Sequence, residues 1–266
     1  MSLPYVELGP PDGEAVLLLH GWPAGPHVWR RLAPLLATRF RVLIPELRDP
    51  DLVAQANSVA AWLRELRIER FAAIGHAHGG GVAQLLALDH AGIDALVLID
   101  SIAFDEAPPT DLDTQAFLER ASTEFVDLAH EDLEVYLAFE APAPAPLDLT
   151  DRTEEMAAWS FPVLLLWGED DPYLPVALAE RLGDTVPGST LGIVPDSGHL
   201  LLDDAFDPVG VMIHEYLRAR YLGAPHGHEG VVMLQLERRH AWAEPAEGTD
   251  DEPPLPSAAQ EVGPHA

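Results

Sequence analysis

The chain has 266 residues, 48% of them apolar, and sets 15 basic residues, all arginine, against 44 acids for a formal charge of −29. That length and composition support one substantial globular core, while the charge excludes polyanions as natural partners, so neither nucleic acid nor an anionic membrane surface is expected. With no cysteine there is no disulfide frame, thiolate nucleophile or thiolate metal site, and no apolar window reaches the ~18 residues of a membrane span.

The start, MSLPYVELGPPDG, lacks the basic and apolar regions of a secretion signal, so a cytoplasmic protein is expected. Short apolar runs then follow at 15–20 (AVLLLH), 40–47 (FRVLIPEL), 71–76 (FAAIGH), 95–100 (ALVLID), 161–167 (FPVLLLW) and 191–195 (LGIVP). Continuous runs of this kind suit strands covered on both faces. Helical patterns between them, at about 26–37, 52–66, 78–91, 176–184 and 207–221, make the alternation that predicts a doubly wound, mainly parallel α/β sheet. In such sheets sites gather at the carboxyl ends of strands.

Residues 101–160 interrupt the alternation with acidic helical stretches near 112–139 and 150–159, joined by the extended, proline-rich EAPAPAPLD at 140–148. They are predicted to form a short helical lid inserted into a core of 1–100 and 161–223. Residues 224–266 read as a C-terminal extension, with a possible edge strand at 231–237 and disorder from about 243, where Pro, Glu, Asp and Ala dominate.

The stretch GHAHGG at 75–80 follows one apolar run and opens one helix. Glycines two before and two after a central residue let a strand reverse sharply into a helix and push that residue into the open. Gly75 and Gly79 meet the requirement, and the central residue is Ala77. LLLHGWP at 17–23 puts a turn after another strand, where the Trp22 amide is placed to join that of His78 in binding an oxyanion. LLLWGEDDPYLP at 164–175 puts acids at a strand end, and SGHLLLDD at 197–204 puts His199 just after another.

These four motifs, in the order turn, elbow, acid, histidine, resemble the α/β-hydrolase superfamily over roughly residues 3–222. The resemblance implies the α/β-hydrolase fold and a carboxylic-ester or acyl hydrolase ancestry. It maps the catalytic acid onto Asp171, three residues after the glycine of WGEDD, the base onto His199, and the nucleophile's place onto Ala77. Two departures stand out. Serine is absent from the elbow, and the family's glycine-rich loop after the second run is here ELRDPD. Without the serine, covalent hydrolysis is expected to be impaired. Three readings follow: a hydrolase-family protein with impaired hydrolysis, a non-catalytic ligand-binding or scaffold pseudoenzyme, and a general-base enzyme using His199 and Asp171. For the last, the superfamily's cofactor-free oxygenases are similar in carrying a histidine after the elbow residue, as His78 does here. A small acyl or apolar molecule is the expected ligand, with no cofactor and no metal.

Other polar residues carry less. Ser101 and Ser197 stand at no elbow. Asp100, after ALVLID, is an alternative acid position or an ordinary strand-end carboxylate. His76 is expected to pack under the turn and His78 to start a helix, so their H-x-H spacing is not read as a metal site; His226 and His228 are read as solvated. Phe117, Phe125, Tyr136 and Phe139 line a pocket or simply pack, and Glu131, Asp132 and Glu134 are expected to face solvent.

Overall fold

The computed structural model describes residues 3–105, 114–124, 128–222 and 230–233. All of these lie within one compact unit, Met1–Gln235; Leu236–Ala266, a second unit, lies outside the described residues.

In chain order the elements are β1 (Tyr5–Leu8), β2 (Ala15–Leu19), α1 (Leu32–Ala37), β3 (Arg41–Pro45), α2 (Leu52–Glu65), β4 (Phe71–His76), α3 (His78–Asp89), β5 (Ile93–Ile99), α4 (Thr114–Glu124), α5 (His130–Ala138), α6 (Thr153–Ala157), β6 (Val163–Gly168), α7 (Val176–Thr185), β7 (Thr190–Val194), α8 (Leu201–Asp204), α9 (Phe206–Leu222) and β8 (Gly230–Met233). The strands form one sheet in the order β1-β3-β2-β4-β5-β6-β7-β8. Only β1 runs antiparallel, against β3. This is the doubly wound α/β-hydrolase architecture.

Every residue of β2, β4, β5 and β6 is buried, as expected of strands whose two faces both carry helices. From β2 the chain steps out to β3 and returns on the other side as β4, so the strand order reverses between β2 and β4. The crevice at such a reversal is where doubly wound sheets bind ligands, and here it is flanked by His20 and Ala77.

The helical stretch expected at 26–37 is instead a 3-10 turn, Pro26–Trp29, followed by α1. The lid stretch expected at 112–139 is likewise divided into α4 and α5. The segment read as a separate C-terminal extension contributes β8, which pairs parallel with β7 from Gly230 to Met233. Residues from 234 onward, with the expected disorder there, lie outside the described residues. Phe117, Leu118 and Tyr136 of the lid are buried in the main core cluster.

Candidate active site

β4 ends at His76 and α3 begins at His78, so the whole reversal falls on Ala77, at φ 51 and ψ −118. A non-glycine residue in this region carries strain of roughly 1–3 kcal/mol that the surroundings must impose. Here they do so by hydrogen bonds. The Ala77 amide donates to Ile99 O at 3.1 Å, and its carbonyl accepts from Gly80 N at 3.0 Å and Ile102 N at 3.3 Å. The flanking glycines permit the close approach: a Cβ on Gly79 would meet Leu19 O at 2.0 Å, and one on Gly75 would meet Gly79 O at 2.5 Å.

The turn after β2 packs directly on this elbow. A Cβ on Gly21 would stand 2.6 Å from the Ala77 methyl and 3.4 Å from the His78 nitrogen. The first amides of a helix have no intrahelical acceptor, so the His78 N–H opens beside the backbone of residues 20–22. The Trp22 indole is committed elsewhere, donating to Ala141 O at 3.0 Å.

Asp171 and His199 come together from the ends of β6 and β7. Asp171 Oδ1 accepts from the amides of Tyr173 at 2.8 Å and Leu174 at 3.1 Å, and Oδ2 accepts from His199 Nδ1 at 2.7 Å. Three donors fix the carboxylate, and the carboxylate fixes the imidazole as the Nδ1–H tautomer, leaving the Nε2 lone pair free. No hydrogen-bond partner reaches Nε2 from the described residues. The ring packs among His76, Tyr173 and Phe117, at centroid distances of 4.9, 5.4 and 5.6 Å.

Three further histidines support the site, all held neutral by burial. His76 Nε2 donates to the His199 carbonyl at 2.8 Å, and its pKa is lowered to about 3, first by desolvation and then by His199. His78 and His20 are each lowered to about 4, again chiefly by burial. His20 Nδ1 donates to Gly21 O at 3.1 Å while Nε2 accepts from Leu47 N at 3.0 Å, so both its nitrogens brace the turn. Among the described residues no group of three or more His, Cys, Asp or Glu is arranged to hold a metal. His226 and His228 lie outside the described residues, as does Phe125.

The other candidate oxygens hydrogen-bond groups other than the imidazole. Ser101 Oγ donates to Ile102 O at 3.0 Å and accepts from Gln84 Nε2 at 3.1 Å. Ser197 Oγ donates to Pro195 O at 3.1 Å. Asp100 is buried; one oxygen accepts from Gly168 N at 2.9 Å and the other has no partner. Burial first, and then the charge of Asp171, push its carboxyl well above the usual carboxylate range.

Two features were not apparent in the sequence. Asp204, five residues after His199, accepts from Gly198 N at 2.8 Å and is raised to about 7 by burial. The proline-rich linker also packs on the turn after β2 and the loop after β3: Glu140 O accepts from Arg48, Ala141 O from Trp22, and Ala145 N donates to Pro50 O at 2.8 Å. Pro142 and Pro144, with His20, Gly21, Trp22 and His78, enclose about 10 Å³, room for about one water. Asp132, expected to face solvent, instead accepts from His27 at 2.8 Å and pairs with Arg30 at 3.0 Å. Those two partners, His27 first, hold its carboxyl below the usual range. The reason is tertiary: α5 lies across the 3-10 turn that carries His27 and Arg30.

A parallel sheet with a reversal point, a strained strand-to-helix elbow and a histidine–carboxylate pair at later strand ends together define a hydrolase-type α/β protein. Residues 16–211 match the alpha/beta hydrolase family, and the chain belongs to that family. A fluoroacetate dehalogenase from Burkholderia is 37% identical over 107 residues, 34% of this chain and 35% of the dehalogenase; the match thus spans about a third of that enzyme's length. A magnesium-chelatase 30 kDa subunit from Rhodobacter capsulatus is 25% identical over 256 residues, covering 80% of this chain and 89% of the subunit. Among solved structures, an esterase from Thermogutta terrifontis superposes with a TM-score of 0.67 at 25% identity, over 82% of this chain and 93% of the esterase.

Proposed function

We propose that this chain binds a small acyl or apolar molecule at the His199–Asp171 site without forming an acyl-enzyme, Ala77 standing in the nucleophile's place. The observation that carries this reading is the contrast at the elbow. The backbone keeps the strained geometry at φ 51 and the imidazole keeps its carboxylate at 2.7 Å, yet the side chain at the vertex is a buried methyl. The likeness to the Thermogutta terrifontis esterase supports the ancestry.

In this reading the amides of Trp22 and His78 form the oxyanion hole, with space for an oxygen-sized group beneath the proline-rich strap. His199 is a general base with its tautomer fixed by Asp171, but among the described residues no hydroxyl hydrogen-bonds Nε2 to be deprotonated. Carbon–oxygen bond formation to an enzyme atom is therefore closed, whereas binding, and proton abstraction from an acidic ligand or a water, remain open to Nε2.

Installing the missing oxygen is the direct experiment. Ala77→Ser places a hydroxyl on a backbone already bent for it and is expected to raise turnover of short acyl p-nitrophenyl esters by on the order of 10³-fold or more, with residue 77 labelled by a fluorophosphonate. Adding His199→Ala should abolish both effects. An Ala77→Ser protein that is folded, unlabelled and inactive means that the oxyanion donors or the base are not assembled, and the reading fails.

A further inference from the structure

At the opposite end of β4 from Ala77, on the order of 17 Å away along the strand, the ends of α2 and α3 leave a cavity of about 480 Å³. Its floor is apolar, formed by Leu63, Ile68, Phe71 and Leu86, and its polar groups are Arg64, Arg67, His90 and Glu69. We propose that this cavity is a second binding site, separate from the His199 site, for a small amphipathic anion: a carboxylate on an apolar body.

Three observations point to an anion. First, in a chain of charge −29, most other described arginines pair with carboxylates, as Arg30, Arg41, Arg152 and Arg220 do. Arg64 donates only to the carbonyl of Ala60, one turn back, and neither it nor Arg67 forms an ion pair among the described residues. Two guanidiniums at one cavity, neither ion-paired with the Glu69 that shares its lining, form an anion receptor amid so large an acidic excess.

Second, His90 Nε2 is buried at the same cavity with no hydrogen-bond partner. A buried nitrogen of this kind costs free energy unless something fills its bonding capacity.

Third, Arg67 occupies a position that favours glycine. α2 ends with the Arg67 amide donating to Arg64 O at 3.0 Å and the Ile68 amide to Leu63 O at 2.9 Å, the paired bonds of a Schellman ending. The residue between them must be left-handed, and Arg67 has φ 57. Glycine takes that conformation without strain, and an L side chain does not. The strained position carries a guanidinium over the cavity. A carboxylate bridging Arg64 and Arg67, accepting also from His90 Nε2–H, satisfies all three groups, while its apolar body covers Phe71 and Leu86. Glu69 opposes the ligand charge from the rim and limits affinity.

Octanoate is the probe, with octanol as its neutral counterpart. Calorimetric titration of the full chain carrying His199→Ala is expected to show octanoate bound at this cavity, with octanol bound there at least about tenfold more weakly because the charge-assisted bonds are absent. Arg67→Gly removes the guanidinium and the strain together, so it should raise the melting temperature while weakening octanoate about tenfold or more. Arg64→Gln should weaken it similarly, and Glu69→Gln should tighten it. His199→Ala should leave it unchanged, which separates this site from the one at the elbow. Absence of octanoate binding, or binding indifferent to Arg67→Gly but lost in His199→Ala, overturns the proposal.

Discussion

Ala77 is strained by its surroundings rather than by its own side chain. Its amide is held by Ile99 O and its carbonyl by the amides of Gly80 and Ile102, so the left-handed backbone persists although no serine needs presenting. Ala77→Gly should therefore stabilise the fold: relief of roughly 1–3 kcal/mol of strain outweighs the extra chain entropy of glycine, roughly 0.5–1 kcal/mol. Urea unfolding should show a higher midpoint with unchanged slope, and a lower midpoint would mean that the turn is relaxed. At this scale the sequence carried much of the site. Glycine spacing around Ala77 and the position of His199 after a strand were both legible, because each depends on local chain geometry. Asp171 was separated from Glu169 and Asp170 only by family pattern, whereas in space it alone of the three hydrogen-bonds His199. Asp204 left no signal, since its partner is a backbone amide brought near by the turn at Gly198.

Elements divide in the same way. The central strands were readable because burial on both faces demands unbroken apolar runs such as Leu17–Leu18–Leu19. β1 was not, being a four-residue edge strand with every residue exposed. The lid helix α5 was legible as a helix with Glu131 and Glu134 exposed, and only Asp132 was misjudged, because its partners His27 and Arg30 lie about a hundred residues away in sequence. Tyr136 Oη donates to Asp203 at 2.9 Å and accepts from Arg30 at 2.9 Å, while Arg30 also pairs with Asp203 at 2.6 Å. One phenol thus ties α5 to α8, the helix that follows His199. Tyr136→Phe keeps the ring in the core but leaves the buried Asp203 short of one donor, a loss of about 1–3 kcal/mol. The loss should fall first on the lid, with amide exchange over 130–138 accelerating about tenfold or more while β4 and β5 exchange as before. Equal acceleration in the central strands would show that α5 is not a separately opening unit.

For the whole molecule, acidity and burial act against each other as pH falls. His20, His76 and His78 titrate near 6.5 when unfolded and near 4, 3 and 4 when folded, chiefly through burial. Their folded values are depressed, so each must take up a proton on unfolding; the stability they permit is complete above the unfolded value and is lost as pH drops towards 4. Three such protons correspond to about 4 kcal/mol per pH unit between about pH 4.5 and 6. Asp100 and Asp204 have the opposite sign. Burial raises both, Asp204 to about 7, so the folded chain holds protons that unfolded carboxyls have already released, and their contribution grows as pH falls. Stability should thus decline on acidification, but with a net uptake on unfolding below three protons. Asp204→Asn keeps an acceptor for the Gly198 amide and deletes one opposing group. Its unfolding free energy should fall more steeply with acidification, by up to about 1.4 kcal/mol per pH unit, less where solvent screens the carboxylate. Urea titrations at a series of pH values across that window measure the slope directly, and a variant no steeper than the parent would place the Asp204 proton elsewhere.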